Sequence, residues 1–175
     1  MPLTVEFKAR SHDNAALEKL LAPLHPEFAG EDHQVDTYFR VNDGRLKLRE
    51  GLIENALIHY RRSDAASAKT SHVTLYQHNP DGHLKNVLAQ ALGVLVVVSK
   101  RRRIFFSGNV KIHFDNVEGL GSFVEVEAID RDGSFSEQQL QEQCNRFIGL
   151  FSISTADFVA GSYSDMLLAK KSSTA

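Results

Sequence analysis

The chain has 175 residues, 42% of them apolar and 24% charged, a composition suited to one globular domain with enough length to bury a substantial core. Its 20 basic and 22 acidic residues leave a net charge of −2, which argues against a protein that holds nucleic acid through bulk positive charge.

The first alternating segment, TVEFKAR, predicts a strand over 3–10, with Glu6, Lys8 and Arg10 on one face and Val5, Phe7 and Ala9 on the other. DNAALEKLLA carries Asp and Asn before a leucine stripe and predicts a helix over 13–22. Residues 24–34 read as a loop. Strands follow at 35–41, 44–50 and 55–62, then a loop at 63–70 and a further strand at 71–77. Asn79 before Pro80 reads as the N-cap of a helix that ends near Gly93. Alternation returns over 94–106, 109–115 and 122–129. Ser136 and Gln139 have capping-box spacing for a helix to about Leu150, and a last helix is expected over 155–169. The division is one domain over 1–170 and a small polar tail over 171–175, expected to be disordered.

The most apolar run, ALGVLVVV at 91–98, is too short to span a bilayer and leads into SKRRR, so no membrane insertion is expected. The first residues lack the apolar stretch of a secretory signal. Cys144 is the single cysteine, which rules out an internal disulfide and suits a reducing cytoplasm; its place on a helix reads as structural.

The opening stripe recurs along the chain. One register collects Lys8, Arg10, Arg45, Lys47, Arg49, Arg62, Lys100, Arg102 and Lys111, together with the carboxylates Glu6, Asp115, Glu125 and Glu127. At 100–103 both faces are charged and the rule blurs. Two readings fit: a sheet with one solvated face, or a closed antiparallel barrel turned inside out, apolar outside under helices and charged within. A charged lumen needs water, ion pairs and a compensating ligand. Its cations suit a chain of phosphates. Carboxylates beside them require a divalent cation, and hard oxygen donors point to Mg²⁺ or Mn²⁺.

EFKAR at the start, QVDTYF at 34–39, GRLKLRE at 44–50, the KRRR stretch and HFDNVEGLGSFVEVE at 113–127 resemble the CYTH superfamily, nearest its class IV adenylyl cyclase branch. ALGVLVVV and SYSDMLL at 162–168 support the likeness, which runs from about residue 3 to 168. The resemblance implies an α+β fold, a closed antiparallel barrel of about eight strands forming a triphosphate tunnel flanked by helices. By position it implies Glu6, Glu125 and Glu127 as metal ligands, with Asp115 as a further metal or water partner; Asp115, Glu125 and Glu127 would be the catalytic group. Lys8, Arg10, Lys47, Arg49, Arg62, Lys100 and Arg102 would bind phosphate, with Arg45 and Lys111 in the same register. Asp36 and Tyr38 match a D-x-Y pattern that orients neighbouring cations, and His113 shares the register as a supporting residue. Thr4 is a departure, because the full pattern of the first strand is E-x-E-x-K.

Three activities fit this reading. A cyclase would convert ATP to cyclic AMP and pyrophosphate. A triphosphatase would hydrolyse an inorganic, thiamine or nucleoside triphosphate. A binder would sequester phosphorylated metabolites, which the missing first glutamate favours. The expected ligand is a small triphosphate rather than a nucleic acid, because basic residues alternating inward with carboxylates do not make an exposed basic surface. A homodimer is expected by resemblance alone.

Overall fold

Every alternating segment of the sequence forms a strand, and the strands close on one another. The computed structural model describes residues 3–62 and 69–173, leaving aside the side chains of 62 and 69–72. In chain order it contains β1 (Leu3–Arg10), α1 (Asn14–Leu21), β2 (Glu27–Phe39), β3 (Arg45–Glu50), β4 (Ala56–Arg62), β5 (Lys69–Gln77), α2 (His83–Leu92), β6 (Val94–Ser107), β7 (Val110–Val117), β8 (Gly121–Asp130), α3 (Glu137–Leu150) and α4 (Tyr163–Ser172). The strands form a closed antiparallel barrel in the order β1-β5-β4-β3-β2-β6-β7-β8, with β8 pairing back onto β1. The ring is unevenly sewn. β1 pairs with β8 along its whole length, but meets β5 only at Thr4–Ser71, Val5–Thr70 and Glu6–Lys69.

The barrel is inside out along its middle. Val5, Phe7 and Ala9 of β1 face outward with Ile112 and Phe114 of β7 and Val124 and Val126 of β8, and pack beneath Leu140, Cys144 and Phe147 of α3. Each fully buried phenylalanine in this layer is worth about 2–3 kcal/mol in transfer alone, so helix and barrel wall stabilise each other. Cys144 donates its thiol to Val5 O at 3.3 Å, and burial pushes that thiol up to about 12, a structural cysteine.

One end of the barrel is apolar within. Tyr38, Val96, Val98, Val117 and Phe123 continue the inward registers of their strands and pack with Tyr163 and the α4 residues Met166 and Leu167. The alternating run of β6 therefore serves two purposes: Val96 and Val98 plug the end, while Lys100 and Arg102 line the middle.

Several boundaries differ from expectation. The 24–34 loop is largely strand, because β2 begins at Glu27 and pairs with β6 through an irregularity between Phe28 and Gly30 that masks its alternation. α2 starts at His83 rather than Pro80, since Gly82 takes a left-handed φ of 77° and Asp81 accepts the His83 N–H at 2.9 Å. It ends at Gly93 as expected. The last helix begins at Tyr163 instead of 155. Residues 157–159 are committed to β1, through Arg10 N–H to Asp157 O (2.8 Å) and Val159 N–H to Lys8 O (2.9 Å). Only then does a Ser162–Asp165 capping box open α4, which runs through Lys171 to Ser172. Of the expected 63–70 loop, 63–68 lie outside the described residues. No described helix is long and apolar enough to cross a membrane.

A candidate active site in the barrel lumen

The lumen is a cavity of about 1100 Å³ whose charged wall comes from β1, β2, β3, β6, β7 and β8. Glu6, Lys8, Lys47, Arg49, Lys100, Arg102, Lys111, Glu125 and Glu127 all line it, as period two requires. The opposite wall is apolar: Ala56, Ile58 and Tyr60 of β4 with Val73 and Leu75 of β5.

Two carboxylates anchor the cations from behind. Asp36, 1% exposed, accepts from Lys47 Nζ (3.0 Å), Lys100 Nζ (2.8 Å) and Arg49 Nε and Nη2 (2.9 and 3.0 Å). Burial alone would raise its pKa; Arg49, Lys100 and Lys47 outweigh that and hold it well below the carboxylate range. Burial also pushes Lys100 down to about 7, against the pull of Asp36. The two shifts are compatible, because Arg49 is the strongest of the charges holding Asp36 ionised.

Asp115 is the second anchor. Arg102 grips it in a bidentate pair at 2.7 and 2.6 Å, and Tyr163 Oη donates to it at 2.7 Å. The same Arg102 reaches Glu125 at 2.6 Å. Lys8 Nζ lies 3.2 Å from Glu125 and 4.0 Å from the Tyr163 ring centroid. Asp115 stands outside the cavity lining with both oxygens engaged, which fits a residue that positions Arg102.

Around Glu125 the donors change character. Glu127 stands opposite Glu6 on the paired strands, and oxygens of Glu125 and Glu127 lie within 4.8 Å of each other and of a His113 ring nitrogen. Burial pushes Glu127 up to about 7, with repulsion from Glu125 and Glu6 adding to it against the pull of Lys111. His113 is fully buried and pushed down to about 3 by burial and by Arg102 and Lys111, so it is neutral at pH 7. Its Nδ1 lies 3.5 Å from Glu125, yet neither ring nitrogen makes a hydrogen bond. Crowded carboxylates beside an unsatisfied neutral imidazole fit a divalent cation.

Other expected residues lie elsewhere. Arg10 is exposed at the end of β1, near Leu120 O (3.4 Å) and the Phe123 ring. Arg45 pairs with Asp165 of α4 at 2.8 Å. Both stand outside the cavity lining, because β1 and β3 reach past the tunnel at these residues. Tyr38 lines the cavity and contributes to the apolar plug. The Arg62 side chain lies outside the described residues. Sequence reasoning missed Glu54, which enters the lumen from the β3–β4 connection and accepts from Arg49 (3.0 Å), Gln34 (2.8 Å) and Lys111. It also missed Tyr163 and the apolar wall. The alternation of ALIHY pointed to Ile58 and Tyr60, but Glu54 sits where no periodicity applies.

Fold and lumen together define a tunnel-type barrel that gathers cations around a carboxylate cluster. The CYTH domain family model matches residues 2–163, and the chain belongs to that family. It is 30% identical over 162 residues to "Adenylate cyclase CyaB" of Aeromonas hydrophila, covering 85% of this chain and 81% of that one. The fold is shared with a Pyrococcus horikoshii OT3 protein (TM-score 0.78, 20% identity, 93% of this chain and 98% of that). It is also shared with a proposed adenylate cyclase from Vibrio parahaemolyticus (TM-score 0.71, 23% identity, 94% and 97%). A third structure of this fold is HpAC1 from Hippeastrum, a proposed adenylyl cyclase described as having a dominant triphosphatase activity (TM-score 0.60, 13% identity, 98% and 96%).

Proposed function

We propose that this protein is a metal-dependent enzyme acting on an organic triphosphate, with ATP conversion to cyclic AMP and pyrophosphate as the leading activity. The observation that carries the reading is the juxtaposition, in one lumen, of a cation row on Asp36 and Asp115 with the Glu6–Glu125–Glu127 cluster. Lys47, Arg49, Lys100 and Arg102 would hold the phosphate chain, their directions set by the two buried aspartates. Lys8 and Lys111 flank them, and Arg10, Arg45 and Arg62 stand as candidates for contacts beyond the tunnel. Glu6, Glu125 and Glu127 would hold Mg²⁺ or Mn²⁺, with His113 beside them. When bound, the ion would neutralise charge on the reacting phosphate.

The apolar wall of Ile58, Tyr60, Val73 and Leu75 favours a substrate with a large organic group over inorganic triphosphate. In the cyclase reaction the 3′-oxygen–phosphorus bond forms, the bond from the α-phosphorus to the bridging oxygen breaks, and pyrophosphate and the hydroxyl proton leave. This chain positions and neutralises the reacting groups rather than forming a covalent bond to them. The 30% identical relative named as an adenylate cyclase supports this reading. A triphosphatase is the second reading, since the lumen cations Lys47, Arg49, Lys100 and Arg102 would hold a triphosphate chain whatever group it carries.

The test is incubation of purified protein with ATP or inorganic triphosphate and Mg²⁺ or Mn²⁺, followed by product identification. Cyclic AMP with pyrophosphate is expected. Orthophosphate together with ADP from ATP, or with pyrophosphate from inorganic triphosphate, and no cyclic AMP would replace the cyclase by the triphosphatase, and tight binding without turnover would leave a binder.

A further inference from the structure

We propose that Glu54 is an internal counter-anion of the tunnel, a carboxylate that holds Arg49 and Lys111 until a ligand's phosphate chain displaces it. The inference rests on the triphosphate reading and adds a competitor to that site.

The β3–β4 connection that carries Glu54 is built to present it. Asp32, fully buried, accepts the backbone N–H groups of Leu52 (2.6 Å), Ile53 (3.1 Å) and Glu54 (3.0 Å). Gln34 Nε2 donates to both Asp32 (2.9 Å) and Glu54 (2.8 Å), tying clamp to carboxylate. Gly51 is required for this closure, since a Cβ there would lie 2.7 Å from Asp32 Oδ2. A buried carboxylate spent on three consecutive amides fixes the backbone and leaves the Glu54 side chain as the moving part.

Arg49 shows how the two acidic partners differ. It gives Nε and Nη2 to Asp36, whose side chain is 2% exposed, and Nη1 to Glu54, whose side chain is 23% exposed at the cavity surface. Asp36 is a permanent support, since freeing it would strand a buried charge. Glu54 is held too, since burial is outweighed by Lys111 and Arg49, which keep its carboxyl well below the usual range. It reaches water when it swings away, however, so its release costs less than that of Asp36. The groups it covers, Arg49 Nη1 and Lys111 Nζ, are donors that a phosphate oxygen would seek. A phosphate chain brings several charges to the row and outcompetes one carboxylate; a singly charged anion does not. Glu54 thereby sets a threshold of ligand charge.

The test is calorimetric titration of inorganic triphosphate into wild type, Glu54→Gln and Glu54→Ala in magnesium buffer, with thermal melts to verify folding. Removing the competing charge is expected to tighten binding at least tenfold in either folded variant. Wild-type binding with unchanged or weaker affinity in the variants overturns the counter-anion and leaves the triphosphate reading standing. No binding by any of the three overturns that reading and the inference with it.

Discussion

Asp36→Asn probes the support of the cation row. The substitution keeps the side-chain volume but removes the charge that Lys47, Lys100 and Arg49 share, and turns an amide N–H₂ toward at least one of those donors. Stripping one partner from a buried ion-pair cluster costs about 3–5 kcal/mol, a large part of the roughly 5–15 kcal/mol that holds a domain folded. Urea unfolding followed by circular dichroism at neutral pH should show a loss of that size.

The pH dependence has a definite sign. The folded Asp36 carboxyl is held below its ordinary 3.8, so the unfolded chain takes up a proton first as pH falls. The stabilisation is therefore whole above about pH 4 and is lost as pH falls below that toward the folded value, and the gap between wild type and variant should close there. A loss under about 1 kcal/mol, or a gap that widens on acidification, would refute the idea that Asp36 carries the row.

The carboxylate cluster makes a different demand. Glu125→Gln or Glu127→Gln should abolish metal-dependent turnover and weaken Mn²⁺ binding in calorimetry, while leaving the far-ultraviolet spectrum unchanged; full activity in both would remove the metal assignment. Leu75→Asp, which puts a carboxylate on the apolar wall, should weaken ATP binding about tenfold or more and inorganic triphosphate much less. Equal effects on both ligands would show that this wall does not meet the organic group.

The sequence displayed the face of each side chain clearly, because strand geometry alternates faces without regard to context. Phe7 and Lys8 went to opposite sides of the wall for that reason, as did Val126 and Glu127. Height along the barrel is another matter, since period two says nothing about where a strand enters or leaves the tunnel. Arg10 and Arg45 share the register of Lys8 and Lys47 yet stand outside the lining, and Val96 and Val98 share that of Lys100 yet fill an apolar plug. Glu54 was illegible for a further reason. It occupies a connection, and its position depends on Asp32, distant in sequence and clamped to it only in the folded chain. The β2 segment hid in the same way, its alternation interrupted between Phe28 and Gly30.

The most direct measurement is a crystal structure with Mn²⁺ and a non-hydrolysable ATP analogue, the ion located by its anomalous signal. The account predicts manganese between Glu125 and Glu127 within reach of Glu6, phosphates on Lys47, Arg49, Lys100 and Arg102, and the base against Ile58 and Leu75. Manganese and phosphates bound outside the barrel, with the lumen side chains unmoved, would contradict it.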